Sequence, residues 1–95
     1  MKLYVVVRND LSQSQKSVQA GHAIAEFLLH RQTKWDNGTL VILGVDNKQE
    51  LEKLTYRLDM RSIDWVEFKE PDIGNEITAI ASDQRCRLFS NLKLV

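Results

Sequence analysis

One short segment carries the residues whose types and spacing are best suited to chemistry. The sequence SVQAGHAIAEF, residues 17–27, contains Gln19, His22 and Glu26. Separations of three, four and seven residues return to one face of an α-helix, so these side chains form a polar stripe. Imidazole ordinarily titrates near neutrality, so His22 beside a cleft could act as a general base or acid. The alternative is a partly buried helix residue, hydrogen-bonded to Glu26 or to a carbonyl group.

Polar residues also follow the first apolar run of the chain. Residues 3–7 form a continuous β-branched and aromatic run, which predicts a central strand buried on both faces. Arg8, Asn9 and Asp10 come directly after it, and open α/β sheets bind ligands beside the carboxyl ends of their strands. We therefore expect Arg8 and Asp10 to border any binding site.

The stretch EPDIGNEIT, residues 70–78, is the second unusual segment. Pro71 fixes one backbone torsion and Gly74 permits a positive one, so the segment is predicted to form a rigid turn that enters a strand. The turn would hold Asp72, Asn75, Glu76 and Thr78 in place. An acidic surface turn accounts for these residues equally well.

Composition limits the function classes. The chain has 95 residues, which predicts one domain over residues 1–95, and its 13 acidic and 13 basic side chains leave no global positive field. A nucleic-acid partner would therefore need a local basic patch, although solvated faces mixed with acids explain the same residues. The candidate groups are Lys2, Arg8 and Lys16; His30, Arg31 and Lys34; and Arg85 and Arg87.

Neither a metal centre nor a cofactor is expected. Cys86 is the only cysteine, and His22 and His30 lie about 12 Å apart along a helix, too far to share a metal. No glycine-rich phosphate loop or nucleophile elbow occurs. The apolar start is too short for a signal peptide, so we expect a cytoplasmic protein without a membrane segment.

Periodicity and capping signals predict the elements that position these residues. A first helix is expected over residues 15–32, with Ser12 or Ser14 as its N-cap. A second helix is expected to begin at a capping box formed by Asp46 and Gln49 and to end near Arg61. Gly21 inside the first helix should cost about 1 kcal/mol, which a close neighbour or ligand would justify. Strands are predicted at residues 3–7, 39–45, 63–68 and 76–81. The tail should form a helical turn and dock Leu88, Phe89, Leu92 and Leu94.

The order strand, helix, strand, helix, strand, strand indicates an α/β fold. Crossover helices imply parallel pairing with a right-handed connection, and the short link between the last two strands permits antiparallel pairing. We therefore predict a three-layer β-α-β-α-β-β domain with a mixed four-stranded sheet and flanking helices.

These motifs together resemble the type II peptidyl-tRNA hydrolase family. The family begins with a strand that leads into an Asp-Leu pair, and VVVRNDL at residues 5–11 matches this motif. Its first helix contains a glutamine, two small residues, a histidine and an alanine in that order, and SVQAGHA at residues 17–23 matches this second motif. Trp35 before the second strand, the capped second helix and the final strand ITAIA also agree. Two features depart from the family pattern. Lys16 lies one position out of register with Gln15 in the expected place, and EPDIGNEIT replaces the second signature.

The resemblance implies hydrolysis, by activated water, of the ester between a peptide or N-blocked amino acid and tRNA. His22 or Asp72 would polarise the water, and Lys16 or backbone amides would stabilise the oxyanion. Arg8 and the basic groups after the first helix would hold phosphates. The remaining substrate-binding residues would be Asp10, Gln19, Glu76 and Thr78.

Two other hypotheses about the function are compatible with the sequence. One is a catalytically inactive relative that acts as a small RNA- or protein-binding module, since fold does not guarantee function. The other is a hydrolase of a different ester or amide. A homodimer is expected in either case, because small sheet proteins often cover exposed edges and apolar patches by pairing. Trp65, Phe68, Phe89 and the apolar tail are candidates for that contact.

Overall fold

The computed structural model describes residues 2–31 and 38–95. Lys34, Trp35 and the predicted helix end at Gln32 lie outside these residues. In chain order the elements are β1 (Lys2–Arg8), α1 (Gln13–His30), β2 (Thr39–Val45), α2 (Lys48–Met60), β3 (Val66–Glu70), a 3-10 turn (Pro71–Ile73), β4 (Glu76–Ser82), α3 (Arg87–Ser90) and β5 (Lys93–Leu94).

The strands form one mixed sheet in the order β3-β4-β1-β2-β5. The central strand β1 pairs in parallel with β2 and antiparallel with β4, while β3 and β5 pair antiparallel at the two sides. The predicted mixed sheet with flanking helices is confirmed, but it has five strands rather than four within the described residues. The fifth strand forms because Leu94 and Lys93 pair with Leu43 and Gly44 of β2. No local sequence pattern predicted this short pairing of the tail.

The two faces of the sheet bury two apolar clusters. Helix α1 covers one face and buries Ala20, Ala23 and Phe27 against the β1 residues Val5 and Val7. Helix α2 and α3 cover the other face and contribute Leu51, Leu54, Leu58 and Phe89. Each fully buried large apolar side chain is worth about 1.5–3 kcal/mol of transfer free energy, so these faces fix the helices on the sheet.

Helix α1 begins with a reciprocal cap. The Ser12 hydroxyl accepts a hydrogen bond from the Gln15 backbone N–H at 3.2 Å, and the Gln15 side chain accepts one from the Ser12 N–H at 3.1 Å. For α2 the prediction of Asp46 as the cap was wrong. Asn47 is the cap, and its side-chain oxygen accepts from the Glu50 N–H at 3.0 Å.

Two further predictions require correction. Gly21 does not mark a close approach, because a Cβ atom added there would meet no heavy atom within 4 Å. In the tail, Phe89 docks as predicted and is 2% exposed, but Leu94 does not, since its side chain is 76% exposed. Leu94 lies on a sheet-edge strand of two residues, so its backbone pairs with β2 and its side chain stays outside.

The topology brings three chain segments to one end of the sheet. The carboxyl ends of β1 and β3 lie there together with the amino end of β4, which runs antiparallel to both. The connection from β1 to the start of α1 lies at the same end. Among the described residues, none of the helices combines the length and the apolar character that crossing a membrane requires.

Candidate functional site

Arg8 organises the first half of the candidate site. Its Nε and Nη2 donate to the two carboxylate oxygens of Asp10 at 2.9 and 2.8 Å, and Nη1 donates to Glu76 Oε1 at 2.9 Å and to the Ile77 carbonyl at 3.2 Å. Arg8 is 6% exposed. The bonds to Asp10, and then to Glu76, raise the pKa of Arg8 against the opposing effect of burial. The guanidinium is thus largely satisfied by carboxylates rather than presented to a phosphate.

A buried hydrogen-bond relay forms the second half. The Thr78 hydroxyl donates to Gln19 Oε1 at 2.7 Å, and Gln19 Nε2 donates to Glu70 Oε2 at 2.8 Å. Thr78 is fully buried and Gln19 is 3% exposed, so α1 and β4 are joined by polar side chains in the interior. Glu70 also accepts a bond from the Asp72 backbone N–H at 3.3 Å.

Glu70 is the residue that the sequence reasoning missed. The hydrogen bond from Gln19 is the main cause that lowers its pKa, followed by the Asp72 N–H, and the charge of His22 contributes less. Its place before Pro71, which favours an extended backbone and ends β3 there, was the available signal. The partner Gln19 lies 51 positions away in the sequence and could not be seen from local pattern.

His22 lies beside this relay on the next turn of α1. Its ring stacks on Phe68 with centroids 4.2 Å apart and an interplanar angle of 6°. His22 is exposed. The alternative of a His22–Glu26 hydrogen bond is not what the structure shows, because Glu26 Oε2 pairs with His30 Nε2 at 2.8 Å.

A small pocket opens between the start of α1 and the turn after β3. Its volume is about 240 Å³, and Val18 and Ile73 give it apolar walls while Glu70 and Asp72 contribute carboxylates. The other lining residues are Ser14, Gln15 and Gln19. This is a concave surface beside the relay, and it is smaller and has more polar residues in its lining than a typical small-ligand site of roughly 300–1,000 Å³.

Lys16 is not among the residues that line this pocket. It lines a separate depression with Ala20, Ile42 and Val95, on the β2 side of α1. Gln15 lines the candidate pocket instead. The reason is helical geometry, since consecutive residues differ by about 100° around the axis.

The structure therefore brings together seven of the eight residues proposed from sequence, and Lys16 stands apart. Arg8, Asp10 and Glu76 form one ion-pair cluster, Gln19 and Thr78 join the Glu70 relay, and His22 and Asp72 border it. Carboxylates outnumber the single guanidinium, so the site as a whole is acidic. Within residues 2–31 and 38–95, no group of three or more His, Cys, Asp or Glu side chains is placed to hold a metal ion.

The fold has a counterpart among solved structures. A protein of unknown function from Agrobacterium tumefaciens superposes with a TM-score of 0.70 at 17% sequence identity, over 99% of this chain and 96% of that one. At this identity the likeness shows the fold alone. A scan against protein-family models and a search of curated proteins each gave no match.

Proposed function

We propose that this protein is a cytoplasmic hydrolase that activates water to cleave the ester between a peptide or N-blocked amino acid and the terminal ribose of tRNA. The observation that carries the proposal is the position of His22, an exposed imidazole that stacks on Phe68 one helical turn after Gln19. Gln19 and Glu70 of the relay line the pocket of Val18 and Ile73, whereas His22 is not among its lining residues. A general base, an orienting hydrogen-bond network and an adjoining apolar pocket are the parts that such a reaction needs.

Each part has a role on this proposal. His22 takes the proton of the attacking water, and the stack on Phe68 fixes the plane of its ring. Gln19 and Thr78 hold the Glu70 carboxylate in one orientation, so that it favours the protonated imidazole formed during attack. The pocket receives the acyl side chain, with Asp72 at its rim.

Gln15 stabilises the developing oxyanion on this proposal, the role that the resemblance assigns to a lysine. It lines the pocket, and because its Oε1 accepts the Ser12 N–H, its Nε2 is the atom that can donate to a developing oxyanion. A neutral donor is weaker than an ammonium group in this role, since charge-assisted hydrogen bonds are roughly twice as strong. We therefore expect a slow enzyme.

A non-catalytic binding module is the second candidate. Two observations favour it: Lys16 lies outside the pocket, and Arg8 already binds Asp10 and Glu76. Such a module would keep the fold and bind RNA or protein without turnover. The homodimer expected from the sequence also stays a prediction, which equilibrium sedimentation would test.

The deciding experiment is single-turnover hydrolysis of an N-acetylated aminoacyl-tRNA by the purified protein. His22→Ala should lower the rate by about a hundredfold or more, the usual contribution of positioned proton transfer. His30→Ala is the matched control, because His30 is the other exposed histidine of α1 and lies two turns away. Its rate should equal that of the wild type.

The outcomes separate the candidates. A wild-type rate in His22→Ala would remove His22 from the mechanism. No wild-type turnover, with tRNA bound in a salt-sensitive manner, would favour the binding module. Turnover of small acyl esters that tRNA does not inhibit would indicate a hydrolase of another ester.

A further inference from the structure

A second cluster of charged side chains lies at the opposite end of the sheet, around the start of β1. Lys2 Nζ lies 5.7 Å from the centroid of the Tyr4 ring. Tyr4 lines a depression together with Arg85, Cys86, Arg87 and Ser90. Arg61, at the end of α2, reaches the same place, with Nη1 at 3.8 Å from Cys86 Sγ. We call Lys2, Arg61, Arg85 and Arg87 the basic end.

The cations of the basic end differ from Arg8 and Arg31 in what surrounds them. All four are exposed, and none takes part in an ion pair between described residues. The depression that they border has no carboxylate in its lining. By contrast, Arg8 and Arg31 are each held by a carboxylate, that of Asp10 and that of Asp64.

The basic end is electrostatically separate from the acidic candidate site. Strand β1 runs from Lys2 to Arg8, and at about 3.3 Å per residue its two ends lie roughly 20 Å apart. This exceeds the Debye length of about 8 Å at physiological ionic strength, so the carboxylates around Arg8 do not cancel the field of the basic end. The carboxylates closer to the basic end are Asp59, Asp64 and Asp83, and Asp64 is paired with Arg31, so the four cations of the basic end outnumber the two others.

We propose that the basic end binds the phosphate backbone of RNA. The four cations come from four segments, namely β1, the end of α2, the loop before α3, and α3 itself. Their four positive charges exceed the charge of about −2 on one phosphate group, so they fit several phosphates of a chain better than a single phosphate ion. Three of the four are arginines, whose planar forks bind phosphate oxygens in pairs.

The proposal rests on the proposed function, because it names the surface that holds tRNA while the acyl end lies at the candidate site. It also explains how a protein with an acidic candidate site could hold a negatively charged RNA substrate. The candidate site is acidic and disfavours phosphates, so an RNA substrate needs an anchor elsewhere. The basic end supplies that anchor on the same molecule.

The test is binding of fluorescently labelled, deacylated tRNA, measured by anisotropy at several salt concentrations. The double variant Arg85→Glu with Arg87→Glu should weaken binding by roughly tenfold or more and reduce the salt slope by about two, one for each arginine that no longer neutralises a phosphate. The matched control is Lys53→Glu with Lys69→Glu, which changes net charge equally at exposed residues away from the basic end. That variant should bind like the wild type.

Deacylated tRNA makes this result independent of catalysis. Arginine-dependent binding without ester hydrolysis would support the basic end and overturn the proposed hydrolase. Hydrolysis with equal tRNA affinity in both double variants would keep the hydrolase and overturn the basic end. Two results would overturn the RNA assignment directly: no tRNA binding at low salt, or equally tight, arginine-dependent binding of polyglutamate. Arg85→Ala with Arg87→Ala repeats the test with smaller changes, and circular dichroism checks that each variant is folded.

Discussion

Thr78 is the buried hydroxyl from which the relay of the candidate site starts. Thr78→Val keeps the shape of the side chain but removes the hydrogen donated to Gln19 Oε1, which is itself buried. An unsatisfied buried acceptor costs about 1–3 kcal/mol, so we expect a loss of that size in the free energy of unfolding in urea. Thr55→Val is the control, because within the described part of the chain that hydroxyl bonds only to the helix carbonyl of Glu52, near the surface. Equal midpoints for the two variants would contradict the relay.

Asp10 should contribute to stability in a manner that depends on pH. Its hydrogen bonds with Arg8 lower its pKa below the ordinary value of 3.8. The unfolded state therefore takes up this proton at a higher pH than the folded state, so the stabilisation is present above that value and is lost as pH falls through the folded pKa. Asp10→Asn should lower stability near neutral pH and make the acid loss of stability shallower.

Thermal denaturation between about pH 2 and pH 7 measures this effect. Asp46→Asn is a suitable control, since Asp46 is exposed and forms no ion pair with a described residue. If the melting temperature of Asp10→Asn fell with decreasing pH as steeply as that of the wild type, the ion pair with Arg8 would contribute nothing to the loss of stability in acid.

At the scale of elements, Gly21 is a weak point within α1. It lies on an exposed part of the helix, and open space surrounds the position of a Cβ atom. Gly21→Ala should therefore raise the free energy of unfolding by about 0.5–1 kcal/mol through better helix propensity. Chemical denaturation checks this value. A decrease would contradict the open space around Gly21, because it would mean that the added methyl group meets other atoms of the protein.

The start of the same helix depends on Ser12. Its hydroxyl accepts a hydrogen bond from the Gln15 N–H, so Ser12→Ala removes this bond, while the backbone N–H of residue 12 can still donate to the Gln15 side chain. We expect a loss of about 1 kcal/mol, measured by the same denaturation. Ser17→Ala, an exposed mid-helix serine bonded to the Gln13 carbonyl, should change stability little. Similar losses in the two variants would argue against a specific cap.

At the scale of the whole molecule, the carboxyl-terminal tail closes the core on the α2 side. Phe89 is 2% exposed and stacks on Tyr4 with ring centroids 4.9 Å apart. Phe89→Ala should cost about 3–5 kcal/mol, a large part of the 5–15 kcal/mol that stabilises a typical domain. Its melting temperature should fall much further than that of Leu94→Ala, which alters an exposed side chain. Nearly equal melting temperatures would show that the tail adds little to the core.

Local patterns in the sequence predicted most of the helices and strands. The buried β1, the bounds of β2, the amphipathic faces of both long helices and the antiparallel β3–β4 pair all followed from periodicity and turn residues. Boundaries were less accurate, as β3 begins at Val66 rather than at residue 63. Hydrophobic pattern and backbone torsion preferences act between near neighbours, which is why the sequence alone could indicate these features.

The sequence by itself determined that Arg8 ends the first strand and that Gln19 and His22 share a face of the first helix. Only the tertiary structure decided their partners. Gln19 binds Glu70 and Thr78, His22 stacks on Phe68, and a fifth strand forms at the tail. The physical reason is that each of these interactions joins residues tens of positions apart. Which side chains meet depends on strand order, register and helix rotation, and these are set by packing of the whole core.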